Sequence, residues 1–351
     1  MSEDELRTFI RCLTLQNAVQ HGGSAKPEAV IGRVLAQRSD LRSKAKEVTN
    51  LVSEVVREVN SVSFEEQKRL LVEYLPEGQV STKTKAKERK LPPLPNVEGY
   101  KEVHVRFCPN PDGALHLGSS RAAILCDEYA KMYNGLYTLR FDDSDPKTKS
   151  PIPDAYEWIR QDLRWLGVKW HKEIYQSDRL NIYYGFTEKL VEAGNAYVCT
   201  CLPPQFRTCV LEMKPCPCRN IPPTEQLARW GKMLDGGYQE GQAVVRVKTD
   251  LNHPNPAVRD WPALRIIDVE KFPHPRIGSR YRVWPLFAFC CGIDDHELGI
   301  THVIRGKEHL TNSTRLLYLY EHLGWTIPAA AHYGRLKIVG TMLSKSKTRE
   351  G

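Results

Sequence analysis

The sequence has no apolar run long enough to cross a membrane. It opens Met1-Ser2-Glu3-Asp4-Glu5, acidic where a secretory signal is basic and then apolar, so a secreted precursor is not expected. No internal repeat is visible, which sets repeat architectures aside. There is also no Cys-x-x-Cys pair, the spacing of the common zinc fingers. What is present is a chain of 351 residues, long enough for two or three domains with buried cores. It has ten cysteines, five of them between Cys199 and Cys218, a clustering that points to metal in a reducing, cytoplasmic setting rather than to disulfides. The net charge of +8 fits either a polyanionic partner or a solvated surface.

Residues 1–77 read as a small all-α domain. Leu6, Phe9, Ile10 and Leu13 form one helical stripe, and Val30, Ile31, Val34 and Leu35 form another behind Pro27. A third stripe runs Leu41, Ala45, Val48, Val52, Val55, Val56, Val59, and Ser63 with Glu66 offers a capping box for a fourth helix. Residues 78–99, with five cationic side chains from Lys83 to Lys90 and then Pro92, Pro93 and Pro95, read as a stiffened basic linker, either a tether or a nucleic-acid contact. Beyond Gly99 a strand from Val103 to Phe107, a helix over 117–133 and a strand from Tyr137 to Phe141 make a strand–helix–strand unit. Further helices are expected from Pro153 and from Ser177 to Ala193.

The stretch from Arg106 to Ala123, RFCPNPDGALHLGSSRAA, passes from strand through a Pro/Gly turn into a helix, a geometry that offers backbone amides to an anion. Gly113 and Gly118 permit close approach of a ligand. His116 is either a structural residue at the helix start or a donor to a phosphoryl oxygen. Near the far end, Gly340 to Arg349 gathers hydroxyls and cations, Lys345 among them, as a polyphosphate requires. The two sites together point to ATP. Between them, Cys199-Thr-Cys201 and Cys216-Pro-Cys218 suit a structural Zn2+, with Cys209 as a spare ligand; buried free thiols are the alternative.

These residues resemble the class I aminoacyl-tRNA synthetases, whose two ATP motifs stand here as His116-Leu-Gly-Ser119 and Met342-Leu-Ser-Lys-Ser346. Within that class the chain resembles the glutamyl/glutaminyl group over residues 100–351. The landmarks are Arg106-Phe-Cys-Pro-Asn-Pro, Leu139-Arg-Phe-Asp-Asp-Ser-Asp-Pro146, Ile293-Asp-Asp-His-Glu-Leu-Gly-Ile-Thr-His-Val-Ile-Arg-Gly-Lys-Glu-His309 and His332-Tyr-Gly-Arg-Leu336. The helical N-terminal region is similar to the extension of archaeal members.

The resemblance implies an α/β fold: a Rossmann-type parallel-sheet core in two halves, 100–194 and 282–351, with a zinc-containing insertion at 195–281 that grips the tRNA acceptor end, all preceded by the all-α domain. It implies that Arg106 and Arg305 hold the carboxylates of L-glutamate, that Asp142 receives its ammonium group, and that Phe287 stands near the substrate where many relatives have tyrosine. ATP, as its Mg2+ complex, is implied at Pro109, Gly113, His116, Gly118, Ser119, Arg335, Leu336, Ser344, Lys345 and Ser346, with Gly334 adjacent and His116 and Lys345 stabilising transition-state charge. The implied reaction forms glutamyl-adenylate and passes glutamate to the 3′ end of tRNA(Glu), with tRNA(Gln) a further candidate. Arg305 favours glutamate over glutamine, because an unpaired buried cation disfavours the neutral amide. Three departures, Ser119, Met342 and Phe287, keep a non-catalytic paralogue in view beside a glutaminyl enzyme. A relative that glutamylates a modified tRNA base is disfavoured by the helical N-terminus and the basic linker. A full member of the family carries an anticodon-reading domain beyond the second motif, after which this sequence ends at Gly351.

Overall fold

The chain divides into two compact units, residues 1–92 and 93–351, and the computed structural model describes residues 3–74 and 91–334 of it. The first unit is a bundle of α1 (Glu3–Gln20), α2 (Pro27–Gln37), α3 (Ala45–Asn60) and α4 (Phe64–Tyr74). On α3, Val48, Val52, Val55, Val56 and Val59 are all buried, at intervals of three and four that place them on one face. At about 1.5 kcal/mol or more for each fully buried valine, that face makes α3 the spine of the bundle. Leu41 is buried with them, but residues 39–44 form a 3-10 turn, so α3 starts later than the apolar stripe. The N–H of Glu66 donates to Ser63 Oγ at 3.3 Å, capping α4. Buried Gln67 donates through Nε2 to the carbonyls of Gly23, Val59 and Val62, locking the turns together.

The second unit is built on a five-stranded parallel sheet of β1 (His104–Phe107), β2 (Leu136–Phe141), β3 (Lys172–Tyr175), β8 (His302–Gly306) and β9 (Ala329–Tyr333), in the order β3-β2-β1-β8-β9. Crossovers run through α5 (Leu117–Met132), α6 (Ala155–Trp165) and α11 (Leu310–Leu323). Strand order reverses between β1 and β8. This is the switch point of a doubly wound sheet, where the carboxyl ends of the strands open a crevice for a ligand.

Between β3 and β8 the chain leaves this sheet. It forms α7 (Leu180–Glu192), β4 (Ala196–Cys199), α8 (Pro203–Leu211), α9 (Pro223–Leu234), β5 (Val244–Val247), β6 (Pro262–Ile266), β7 (Val283–Pro285) and α10 (Phe287–Glu297). Strands β4 to β7 pair in order as an antiparallel sheet. Its buried face shares one core, including Trp230, Trp261 and Trp284, with Tyr183 of α7, Phe289 of α10 and Tyr320 of α11. The inserted segment is therefore packed against α7, α10 and α11 rather than loosely tethered. Of the predicted linker, residues 93–99 also belong to this unit: Leu94 is buried and its N–H donates to Tyr133 Oη at 2.9 Å. The basic run Lys83–Lys90 lies outside the described residues.

Candidate active site

The loop leaving β1 is stitched to its surroundings by backbone. Asp142 N–H donates to Pro109 O at 2.9 Å and Ile152 N–H to Pro111 O at 2.8 Å, while Asn110 Nδ2 donates to Asp142 O at 2.9 Å. The loop delivers His116 as the N-cap of α5. Ser119 N–H donates to His116 Nδ1 at 3.2 Å, and His116 N–H donates to Ser119 Oγ at 3.0 Å, a reciprocal capping box. This settles the imidazole tautomer: with Nδ1 accepting, the ring's donor is Nε2. Ser119, which departs from the family motif, thus has a task of its own in orienting His116. A Cβ on Gly118 would lie 3.0 Å from His116 Cε1, so glycine is what lets the ring sit there. At the other edge of this surface Arg121 Nη1 donates to Gly334 O at 2.6 Å and its guanidinium lies over the Tyr333 ring. Arg335, Leu336, Met342, Ser344, Lys345 and Ser346 lie outside the described residues.

Beside this loop the sheet carries an unusual load of buried charge. Arg106 on β1 donates through Nε and Nη2 to both oxygens of Asp295, at 3.0 and 3.1 Å. Arg140 on β2, fully buried, donates to the same carboxylate at 2.8 Å. Neighbouring Asp294 accepts from Arg179 Nε at 2.7 Å, Tyr183 Oη at 2.7 Å and Gln176 Nε2 at 3.0 Å. Burial opposes ionisation of Asp295, yet Arg106 and Arg140 outweigh it and hold the carboxyl below its usual range. The network holds Arg106 through its Nε–Nη2 edge, leaving Nη1 on the opposite edge of the guanidinium.

Arg305 on β8 is the contrasting case. Nη2 donates to Ser313 Oγ at 2.7 Å, which is itself 3.0 Å from His332 Nε2. Buried Nε and Nη1 have no hydrogen-bond partner among the described residues. Burial, reinforced by Arg106, weakens its hold on its proton. A cation left this way costs several kcal/mol unless a ligand anion completes it. Asp142 follows β2; burial pushes its carboxyl up to about 7 against the pull of Arg140. Phe287 opens α10, its ring 5.1 Å from that of His309. Arg106, Arg140, Arg179 and Arg305 thus share this region with the buried carboxyl groups of Asp142, Asp143, Asp294 and Asp295, a setting of opposed charges that can hold a zwitterionic substrate.

The cysteines of the insertion converge. Cys199 ends β4 and Cys216 and Cys218 follow α8; the Sγ atoms of Cys199 and Cys216 are 3.9 Å apart and those of Cys201 and Cys218 are 3.7 Å apart. A tetrahedral zinc with bonds of about 2.3 Å requires Sγ separations of about 3.8 Å. Cys199, Cys201 and Cys218 also lie within 4.8 Å of one another. Cys209, on α8, is partly buried against the same cluster. A hydrogen bond from Cys199 draws the Cys216 thiol down to about 5. The donor set fits zinc.

Among the described residues no helix is long and apolar enough to cross a membrane. The family model described as tRNA synthetases class I (E and Q), catalytic domain, matches residues 102–350. A glutamate–tRNA ligase of Thermococcus kodakarensis is 56% identical over 349 residues, 99% of this chain and 60% of that protein. One from Sulfurisphaera tokodaii is 47% identical, over 99% of this chain and 61% of that protein. The chain thus spans about 60% of the length of such relatives. Among solved structures, a glutamate–tRNA synthetase from Elizabethkingia anophelis is similar with TM-score 0.52 and 26% identity, over 71% of this chain and 54% of that one. A glutamate–tRNA ligase from Elizabethkingia meningosepticum, solved with its amino acid, is similar with TM-score 0.52 and 25% identity, over 71% of this chain and 53% of that one.

Proposed function

The chain belongs to the class I tRNA synthetases of the E and Q group, and from that premise we propose that it activates L-glutamate with Mg-ATP and passes the glutamyl group to the 3′ terminal adenosine of tRNA(Glu) in the cytoplasm. The observation that carries the choice of amino acid is Arg305, a buried cation whose Nη1 has no acceptor among the described residues: a γ-carboxylate supplies both an acceptor and the balancing charge, whereas an amide supplies a carbonyl oxygen without the charge. Arg106, its far edge fixed by Asp295, receives the second carboxylate. Asp142 takes the ammonium group, and Phe287 borders the pocket. No protein nucleophile is needed: the glutamate carboxylate attacks the α-phosphorus of ATP, pyrophosphate leaves, and the tRNA ribose hydroxyl then displaces AMP. His116, donating through Nε2, and Lys345 stabilise the charge on the phosphoryl oxygens. Pro109, Gly113, Gly118, Ser119, Arg335, Leu336, Ser344 and Ser346 complete the ATP site.

Calorimetric titration with non-hydrolysable glutamyl- and glutaminyl-adenylate analogues tests this reading. The glutamyl analogue is expected to bind at least tenfold more tightly. Preference for the glutaminyl analogue reverses the assignment.

The pocket's charge sets a pH dependence. Folding raises Asp142 to about 7, so in the unliganded chain the carboxyl stays mostly protonated below that pH and is mostly ionised only above it. An ammonium group seated against it favours the carboxylate, so binding expels a proton. The affinity for the glutamyl analogue is expected to fall about tenfold per pH unit below 7 and to level off above it. Calorimetry in buffers of different ionisation enthalpy reads the released proton directly; the same heat in every buffer contradicts the role of Asp142.

Cys199, Cys201, Cys216 and Cys218 hold a structural zinc that stiffens the surface offered to the tRNA acceptor end. One tightly held zinc per chain is expected by atomic emission, lost in Cys199→Ser/Cys218→Ser together with most tRNA affinity. A native chain free of zinc after preparation in zinc-containing medium contradicts this.

A further inference from the structure

Outside the four-cysteine cluster, a second set of soft ligands lies in the amino-acid cleft. A carboxylate oxygen of Asp142 and the Sγ atoms of Cys290 and Cys291 lie within 4.8 Å of one another, and all three residues are buried. Cys290 Sγ is 3.5 Å from Ser144 Oγ and donates to Gln176 Oε1 at 3.4 Å, while Gln176 Nε2 donates to Cys291 Sγ at 3.8 Å. The two thiols are held by weak sulfur contacts only, and as neighbours on α10 they cannot close a disulfide without breaking the helix.

We propose that Asp142, Cys290 and Cys291 bind a thiophilic divalent cation, zinc or its analogue cadmium, and that the bound cation excludes the amino acid. The second clause rests on the assignment of Asp142 to the substrate ammonium group. Two thiolates and one carboxylate make a three-ligand site with an open fourth position, which zinc accepts. The site is at most about 1 Å wider than the zinc tetrahedron's sulfur edge, a difference that rotation about χ1 closes. Buried arginines nearby do not forbid the ion, because charge balances: two S–H bonds break, two S–metal bonds form and two protons leave to solvent, and a protonated Asp142 also gives up its O–H proton as its oxygen binds the metal. The cleft therefore gains no positive charge. Magnesium, which demands six oxygen ligands and shuns thiolate, does not compete. At low free zinc the cysteines stay protonated and behave as small core side chains. At high free zinc they shut the pocket.

The test is cadmium titration of the full chain, followed by the ultraviolet thiolate-to-metal charge-transfer band. The native chain is expected to take up one more cadmium than Cys290→Ala/Cys291→Ala, whose fold is checked by its retained band from the four-cysteine cluster and by circular dichroism. Asp142→Asn is expected to weaken the extra site at least tenfold. On the native chain alone, saturating glutamyl-adenylate analogue is expected to block the extra cadmium and leave the other site untouched. Equal uptake by native chain and double variant overturns the site. Extra uptake that the analogue does not block leaves the metal site standing and removes the ammonium assignment of Asp142.

Discussion

Arg305→Cys is expected to weaken binding of the glutamyl-adenylate analogue by about 100-fold or more, with little change for the glutaminyl analogue. In the native chain Nε and Nη1 of Arg305 are buried without partners, and only Nη2 is engaged, by Ser313. Two charge-assisted hydrogen bonds to a γ-carboxylate, from Nη1 and the second Nη2 hydrogen on the edge they share, contribute about 1.5–3 kcal/mol each, and at about 1.4 kcal/mol per tenfold the smaller sum already gives two orders of magnitude. The same argument makes the unliganded variant more stable, because the lone buried cation it removes is a cost to the empty protein. Calorimetry for affinity and thermal melting for stability check the pair of effects. A loss of binding accompanied by a lower melting temperature means that Arg305 supports the fold rather than the ligand.

Asp295→Asn is expected to be among the most destabilising changes in the larger unit. Its carboxylate takes both donors of the Arg106 Nε–Nη2 edge and one from Arg140, with all three side chains buried. Removing one partner of such a network leaves buried cations unpaired, at a cost of about 3–5 kcal/mol. In a unit of this size that corresponds to a fall in melting temperature of roughly 6–20 °C. Because the folded-state carboxyl lies below its ordinary range, the contribution is present at neutral pH and is lost only as pH falls below that range. The variant's melting temperature should therefore approach the native one in strong acid. A drop of less than about 2 °C at pH 7 contradicts the arrangement, since even 1 kcal/mol is worth that much.

Much of the fold was legible because local pattern and burial agreed. The valine period of α3, Pro27 at the head of α2 and the strand–helix–strand rhythm from His104 to Phe141 all appear in the sequence at the residues where the elements form. The boundaries that shifted have local causes, as with Leu41, which is buried from a 3-10 turn rather than from α3. At the proposed site, Arg106, Asp142, Phe287 and Arg305 were candidates that the motifs offered. Arg140, Asp294 and Asp295 stand in the same motifs, but their pairing was visible only in the structure, because the contacts that define it span more than a hundred residues. An Asp-Asp pair ending an otherwise apolar helix, and an arginine inside a buried strand, were the available signals. His116 illustrates the other limit: histidine is an uncommon N-cap, and its partner Ser119 reads as a weakened motif until the capping box is seen. The cysteine pairs were plain in the sequence and their convergence was expected from it; that the segment between them is the helix α8 was not.

The most direct test of the whole account is a crystal structure of the chain with the glutamyl-adenylate analogue. The γ-carboxylate is expected within hydrogen-bond distance of Arg305 Nη1, with the ammonium group against Asp142. The adenylate phosphate should face His116 Nε2. A side-chain carboxylate bound elsewhere, with Arg305 Nη1 still unpartnered, would contradict the assignment of this pocket to glutamate.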